Sequence, residues 1–238
     1  MLYADREFLM TKMLSLVNKY KDFLKFDKYR LLRKEIYLKL KNQITYDYGE
    51  GYFYQSLDKI NLSGLRDTKK RIDVYDLEEF TANKKILDIG SNIGAILFEI
   101  KNNYNFAKGI EYNKNLVEIS NKINEKLKIK NIEFICEDFL NYNFLETFDM
   151  ILSLANHHTF DKGISSINDY LKKIDNILDK GGILVFESHH PNYEPAEVFN
   201  KLKNLLVDEF NYILIKEKVL EFQNFYDMNR TVLYFLKK

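Results

Sequence analysis

Asp88, Gly90 and Gly94 stand in the stretch KKILDIGSNIGAILFEI, Lys84 to Ile100, with one glycine just after an apolar run and the other just before the next. Glycines so placed let a backbone come close to a ligand. The pattern is D-x-G-x-x-x-G, with Ser91, Asn92 and Ile93 between the glycines. It lacks the G-x-G-x-x-G spacing that seats a pyrophosphate on a helix N-terminus. A carboxylate at that point repels a pyrophosphate and suits a cationic ligand, an ammonium or a hydroxyl donor. Two more acids occupy equivalent places. In GIEYN, Glu111 follows Gly90 by about twenty residues, where an acid can accept from both hydroxyls of a ribose. In CEDF, Asp138 sits beside Phe139, so a carboxylate can accept from an adenine amino group while an aromatic covers the ring.

The four histidines form two pairs, His157-His158 in SLANHHTFD and His189-His190 in ESHHPNYE. Histidine titrates near neutral pH and suits removal of a proton from a hydroxyl or an ammonium as it becomes a nucleophile. His157 is the first choice for such a base and His189 the second, with their neighbours behind them. A metal site is disfavoured, because adjacent residues of an extended segment point to opposite faces and one of each pair at most can face a common point.

The elements that must position these groups alternate from Lys84 onward. Strands are expected at KILDI, FAKGIEY, NIEFICED, FDMILSLA and ILVFESHHP. Helices are expected at Ile93–Lys101, NKNLVEISNKINEKL, SSINDYLKKIDNILDKGG (ending on its paired glycines) and AEVFNKLKNLLVDEF. YILIKEKVLEF and RTVLYFLKK have no helix between them and read as a terminal hairpin. This is an α/β chain with an open, mostly parallel sheet covered on both faces. In such sheets ligands lie beyond the carboxyl ends of the strands, where Asp88, Glu111, Asp138 and both histidine pairs fall.

Upstream, Asp5–Lys25 and Lys28–Ile44 show helical apolar spacing, for example Leu9, Met13, Leu16, Val17 and Tyr20. A further helix is expected over Arg66–Phe80 with Asp67 or Thr68 near its N-cap. Between them YDYGEGYFYQS reads as an aromatic loop. Gly49 and Gly51 permit motion, and Tyr46, Tyr48, Tyr52, Phe53 and Tyr54 can close over a site and exclude water. Arg66 and Arg71 can clamp an anionic acceptor bidentately. The division is a helical cap and acceptor-side segment over 1–80 and a core over 81–238.

ILDIGSNIG, GIEYN and CEDF together resemble the cofactor motifs of class I S-adenosylmethionine-dependent methyltransferases over Lys84–Lys238. That resemblance implies a Rossmann-like seven-stranded sheet with an antiparallel last strand. It implies that Gly90 and Gly94 let the backbone approach the methionine part of S-adenosyl-L-methionine, with Asp88, Ser91, Asn92, Tyr112 and Ser153 as further cofactor-binding residues. Glu111 would hold the ribose, and Asp138 with Phe139 the adenine. The Ser91-Asn92-Ile93 run departs from the Cys or Thr with Gly that many members carry. The wider pattern GYFYQS…GLRDTKKRIDVY…ILDIGSNIG resembles small-molecule methyltransferases of bacterial surface-polysaccharide (capsule) pathways. It implies a sugar, a phosphorylated sugar or a sugar-linked group as acceptor, with Tyr52, Tyr54, Arg66 and Arg71 on the acceptor side.

Composition bounds the alternatives. With 238 residues, 46% hydrophobic and 30% charged, the chain has a soluble, globular balance, and no apolar run approaches the ~18 residues of a bilayer span. The single cysteine, Cys136, excludes an intramolecular disulfide and suits a reducing cytoplasm; it reads as a buried, inert strand residue. Residues 1–45 hold eleven Lys or Arg against five Asp or Glu, within a chain of net charge +1. That basic segment keeps RNA methylation open as a second reading, although no Asn-Pro-Pro-Tyr motif follows strand four and nucleic acid is not the expected partner. A nicotinamide-dependent enzyme is a third reading. It would need a Tyr-x-x-x-Lys pair near the site, and the YNFAK run at Tyr104–Lys108 leads into strand two instead. A non-catalytic cofactor-binding module is a fourth.

Overall fold

A computed structural model describes residues 2–41, 53–100, 104–157, 166–188, 194, 196–220 and 230–238. Tyr46, Tyr48, Gly49, Gly51, Tyr52, His158, His189 and His190 lie outside the described residues. The strands are β1 (Lys85–Ile89), β2 (Phe106–Glu111), β3 (Ile132–Cys136), β4 (Phe148–Leu154), β5 (Leu178–Glu187), β6 (Tyr212–Leu220) and β7 (Arg230–Lys237). They form one sheet in the order β3-β2-β1-β4-β5-β7-β6. The β1–β2, β1–β4, β2–β3 and β4–β5 pairs are parallel, and β7 lies antiparallel between β5 and β6. The expected hairpin therefore enters the sheet as its antiparallel edge.

Helices α1 (Leu2–Leu24), α2 (Arg30–Lys41), α3 (Thr68–Tyr75), α4 (Ala95–Glu99), α5 (Lys114–Leu127), α6 (Ile167–Ile177) and α7 (Ala196–Asp208) complete the described elements. The period-two alternation of the strands sorts them into two layers. Ile86, Met150, Val185 and Tyr234 face one core, shared with α2, α3, α4 and α5. Leu87, Ile151, Leu184 and Phe235 face the other, against α6 and α7. Residues before 81 contribute Ile36, Leu40, Phe53, Leu57, Ile60, Ile72 and Tyr75 to the first core, so the cap segment and the sheet are packed together.

Two elements differ from the sequence expectation. The helix at Arg66–Phe80 is shorter: Asp67 caps α3 by accepting from Lys70 N, and Asp76 enters the left-handed region at φ 54° and ends it. Gly181 and Gly182 do not cap α6. That helix closes on Leu178 in an extended conformation, and the glycines fall at an irregularity of β5 between the Phe148–Leu178 and Met150–Ile183 pairs. Both positions exploit the freedom of glycine, and Gly181 has φ 73°.

In α1 the apolar residues of the helical stripe face outward where their side chains are described. Met13, Leu16, Val17 and Tyr20 are exposed, while Asp22 is wholly buried. Asp22 accepts from Tyr37 Oη at 2.9 Å and from Ser63 N and Oγ at 2.8 and 2.6 Å. Buried Arg33 donates to the carbonyls of Asp22, Lys25 and Ile60. Charge-assisted bonds of this kind, each worth about 1.5–3 kcal/mol, fasten the helix where apolar packing does not.

Candidate active site

Three positive-φ residues shape the turn after β1: Gly90 (φ 67°), Asn92 (φ 54°) and Gly94 (φ 76°). Asn92 explains the departure seen in Ser91-Asn92-Ile93. Among non-glycine residues asparagine best tolerates the left-handed region, and here its Oδ1 accepts from Ile93 N at 2.8 Å. Gly94 is fixed by space as well, since a Cβ there would overlap the Phe134 ring. Gly90 N and Ser91 N both donate to Ile110 O, at 2.9 and 3.1 Å, which ties the turn to the end of β2.

Glu111 closes that link from the other side. Its carboxylate is buried and accepts from Asn92 N at 3.1 Å through Oε2 and from Asn113 N at 3.0 Å through Oε1. A carboxylate has about four acceptor positions, so the group keeps capacity for a hydroxyl. Burial raises the Glu111 pKa, against the lowering effect of backbone donors from Asn113, Asn92 and Tyr112. Asp88, one strand over, is buried too. Burial first, then the negative charge of Glu111, lifts its pKa to about 7 against the opposing pull of Arg71.

Beyond β3, Asp138 is partly exposed and its Oδ1 accepts from Leu140 N at 2.8 Å. Phe139 is buried against Tyr170 and Phe144, so its ring belongs to the second core. The exposed aromatic at this edge is Tyr112, 62% accessible at the end of β2. Cys136, expected to be buried, is exposed. Its thiol is raised above its ordinary pKa by desolvation and then by Glu137, which disfavours the reactive thiolate.

At the end of β4 the strained residue is Ala155, with φ 57°. The turn it makes drives Asn156 back into the sheet, where Nδ2 donates to Ile89 O and Oδ1 accepts from Ser153 Oγ at 2.8 Å and Tyr170 Oη at 3.0 Å. Ser153 is thereby engaged inside the protein, bracing the ends of β1 and β4. His157 follows, fully buried beside Phe186 and Phe199, with Nε2 2.7 Å from Glu194 Oε1. His157 and Glu194 are 37 residues apart and no spacing rule joins them.

Arg66 and Arg71 are not solvated helix residues. Both are buried at the carboxyl end of β5 around Glu187. Arg71 Nη2 donates to Glu187 Oε2, Tyr75 Oη donates to Glu187 Oε1, and Arg66 Nη2 lies 4.0 Å from the same oxygen. Arg66 Nη1 donates to Tyr54 Oη at 2.5 Å, which brings the sequence-selected Tyr54 into the cluster. Burial pushes the Glu187 pKa up, and Arg71, Arg66 and Arg230 outweigh it and hold the carboxyl below its ordinary range. Glu187 and Arg230 escaped the sequence reading. Glu187 ends a strand as Asp88 and Glu111 do, so the same rule finds it.

Adjacent strands lie about 4.8 Å apart, so the edge from Glu111 on β2 through β1 and β4 to Glu187 on β5 spans about 14 Å. The acidic groups gather at one end and the guanidinium groups at the other. A cavity of about 330 Å³ opens on the cap side of that second end, lined by Lys25, Ser63, Arg66, Asp67, Lys70 and Arg71 among others; Asp88, Glu111 and Asp138 are not in its wall. Among the described residues no group of three or more His, Cys, Asp or Glu could hold a metal, and no helix is long and apolar enough to cross a membrane.

Comparison with known proteins gives this edge a family. Human EEF1A lysine methyltransferase 2 is 27% identical over 138 residues, covering 53% of this chain and 58% of its own length. The mouse protein of that name is 27% identical over 121 residues, 48% of this chain and 49% of its own. The chain thus spans about half the length of the curated relatives it matches. N-methyltransferase NodS from Bradyrhizobium japonicum WM9, in complex with S-adenosyl-L-homocysteine, shares the fold with a TM-score of 0.60 at 13% identity, over 85% of this chain and 96% of that one. Trm5b from Pyrococcus abyssi shares it with a TM-score of 0.53 at 12% identity, over 71% of this chain and 48% of that one. A family model described as a methyltransferase domain matches residues 80–230, well over half of the chain, so the protein belongs to that family and has the class I S-adenosylmethionine-dependent methyltransferase fold.

Proposed function

We propose that the protein transfers a methyl group from S-adenosyl-L-methionine to an oxygen or nitrogen of a small, anionic acceptor. The observation that carries this is the placement of Asp88, Glu111 and Asp138 at the ends of β1 and β2 and just beyond β3, around one glycine turn. The residues present fit the cofactor. Ser91 Oγ is buried without a hydrogen-bond partner, and a Cβ on Gly90 would press on Asn156 at 3.2 Å, so the turn has room only for a bare backbone.

When bound, the cofactor supplies an electrophilic methyl on a sulfonium. Glu111 would accept from the ribose hydroxyls, Asp138 from the adenine amino group, and Tyr112 offers a ring face beside them. Asp88 would face the cationic amino-acid end, with Gly90, Ser91, Asn92 and Gly94 as its backbone cradle. Asn156 and Ser153 hold the β1 and β4 ends in register, which matters because in-line displacement depends on alignment. His157 is the proposed base. Glu194 engages Nε2, so the proton of a hydroxyl or ammonium acceptor would be taken at Nδ1. His189, His158 and His190 are the further candidates. Residues 1–80 act as the acceptor-side cap, with Tyr52, Tyr54, Arg66 and Arg71 facing the acceptor.

A sugar, phosphorylated sugar or nucleotide-linked sugar of capsule or other surface-polysaccharide synthesis, made in the cytoplasm, is the acceptor we favour, on the resemblance of residues 51–94 to such enzymes. A protein lysine, as the names of the curated relatives suggest, is the second reading. The buried guanidinium groups of Arg66 and Arg71 favour the first, because they repel an approaching ammonium and attract an anion. Thermal-shift titration with S-adenosyl-L-methionine, S-adenosyl-L-homocysteine, NADH and NADPH tests the cofactor. Homocysteine-product detection with candidate phosphosugars and lysine peptides then tests the acceptor. Stabilisation by a nicotinamide nucleotide and by neither adenosyl compound would overturn the proposal.

A further inference from the structure

Helix α1 is attached to the cap by one face. Asn18 Nδ2 donates to Gly64 O at 3.2 Å, and Asp22 accepts from Tyr37 and Ser63. Phe23 adds a ring contact with Tyr37, their centroids 5.5 Å apart. Away from these attachments lie Met10, Met13, Val17, Tyr20 and Leu24, separated alternately by three and four residues. That is the a/d repeat of a coiled-coil seam. In the same register Asn18 falls at b and Asp22 at f, the positions that point away from a seam. Met13 is 64% exposed, Tyr20 65% and Leu24 69%, so the seam is open. The helix runs for 23 residues, about 34 Å, which is room for three heptads.

Area and charge say what fits it. Leu14 and Leu16 flank the seam and are exposed as well. With the five seam residues they present roughly 600–700 Å² of apolar surface, at or above the ~300–600 Å² of the largest patch on a typical monomer. Two such faces laid together remove about 1,200 Å² from water, which reaches the lower bound of a stable interface. A second copy supplies that matching face by two-fold symmetry. The charges then choose the direction. The e positions beside the seam are Glu7 near the start of α1, Leu14 midway and Lys21 near its end. In a parallel pair e positions meet g positions, which here are Leu2, Leu9, Leu16 and Phe23, and no ion pair forms. Reversing one helix brings e to e, so Glu7 of each copy meets Lys21 of the other.

We propose that α1 is the dimerisation element of this protein and pairs with α1 of a second copy as an antiparallel two-stranded coiled coil, its two-fold axis near Ser15. Met13 of each copy packs against Val17 of the other, and Met10 against Tyr20. The two catalytic domains hang from the b and f positions, at opposite ends of the pair and on its outer sides. The pairing bears on the cap, because Asn18 and Lys25 line the cavity described above and Lys25 donates to Asp22 and to Asn61 O, both at 3.0 Å. A paired α1 therefore holds one wall of that cavity in place. The inference stands on α1 alone and is independent of the methyl-transfer reading.

The test is sedimentation equilibrium of the full chain over the micromolar range. We expect a monomer–dimer equilibrium whose upper species has twice the 28.5 kDa of one chain. Met13→Glu with Val17→Glu places charges in the seam and should raise the dimer dissociation constant at least about tenfold. The thermal midpoint of the wild type should rise with protein concentration, and that of the double variant should not. Leu31→Glu, at an exposed apolar residue of α2 outside the seam, should leave the dimer intact. Glu7→Lys and Lys21→Glu should each weaken the dimer, and together restore it. A monomer at every concentration overturns the proposal, as does a dimer that persists in a folded Met13→Glu, Val17→Glu variant. Absence of restoration by the charge swap overturns the antiparallel arrangement. A monomer whose α1 binds phosphatidylserine-containing vesicles, and loses that binding in the seam variant, would overturn it too by making a lipid surface the occupant.

Discussion

Replacing Asp88 by Asn should stabilise the protein above neutral pH and weaken its hold on the cofactor at the same time. Burial lifts the Asp88 pKa from 3.8 to about 7. Between those values the folded chain keeps a proton that the unfolded chain has released. Stability must therefore fall as pH rises through that window, and the loss is complete above about pH 7. About three pKa units at 1.36 kcal/mol each set a ceiling near 4 kcal/mol. Asn has nearly the same shape and no charge, so it escapes the loss. At pH 4 the two proteins should be equally stable, and by pH 8 the variant should lead by about 2–4 kcal/mol, or roughly 5–15 °C in midpoint temperature for a chain of this size. Because the protein has no tryptophan, unfolding by urea is best followed by circular dichroism from pH 4 to 8 without ligand. In the same variant, affinity for S-adenosyl-L-methionine should drop and lose its dependence on pH, whereas wild-type affinity should weaken as pH falls below 7 and Asp88 takes up a proton. A stability difference that stays constant within ~0.5 kcal/mol across the range would show that Asp88 is ionised throughout and refute the reasoning.

Glu111→Ala should weaken binding of S-adenosyl-L-homocysteine by at least several-fold in calorimetry, through loss of the proposed ribose acceptor and of the bonds that hold the Asn92 and Asn113 amides. Gly94→Ala forces a Cβ into the Phe134 ring at a positive φ; a loss of at least ~2 kcal/mol in urea unfolding is expected. His157→Ala should lower turnover with cofactor affinity nearly intact. Glu194→Ala should act in the same direction, and the double variant should be no slower than His157→Ala, because the pair works as a unit. Additive losses in rate would separate the two roles, and unchanged rates in both single variants would remove His157 as the base.

What the sequence made legible was whatever local periodicity controls. Apolar runs of five or six residues fixed where β1, β2 and β3 end, and the acids Asp88 and Glu111 follow directly from those ends. Asn92 could be seen as a departure, but its reason is a left-handed φ that no composition reveals. Residues that act through distant partners stayed hidden. Glu194 meets His157 across 37 positions and Arg71 meets Glu187 across 116. Arg230 lies in a strand whose insertion between β5 and β6 is a property of the sheet order. The stripe on α1 was legible as helical, but periodicity reports which residues share a face and not what that face meets. Here a buried carboxylate, Asp22, decided the matter against the apolar side.

The two kinds of buried charge at this edge acquire a common meaning once their positions are compared. Asp88 and Glu111 lie at the ends of β1 and β2, and the guanidinium groups two strands further on, around the ends of β5 and β7. The resulting field runs along the strand ends over about 14 Å in a medium of low dielectric, where it is screened far less than at the surface. A ligand with a cationic centre beside the acids and an anion beside the arginines lowers the energy of both ends and can enter in one orientation only. S-adenosyl-L-methionine has the cationic centre, and the proposed anionic acceptor would supply the complementary charge where a methyl would be received. Electrostatics would then do part of the alignment that in-line transfer requires before any side chain moves a proton. It follows that charge-neutralising substitutions at the two ends should not be independent. Arg230→Gln should also lower the pH below which cofactor binding weakens if the cationic cluster helps to keep Asp88 protonated, and raise it if the cluster helps to ionise it. Arg71 already pulls the Asp88 pKa downward, so the expected direction is upward, and a shift in the opposite sense would break the link between the two ends of the site.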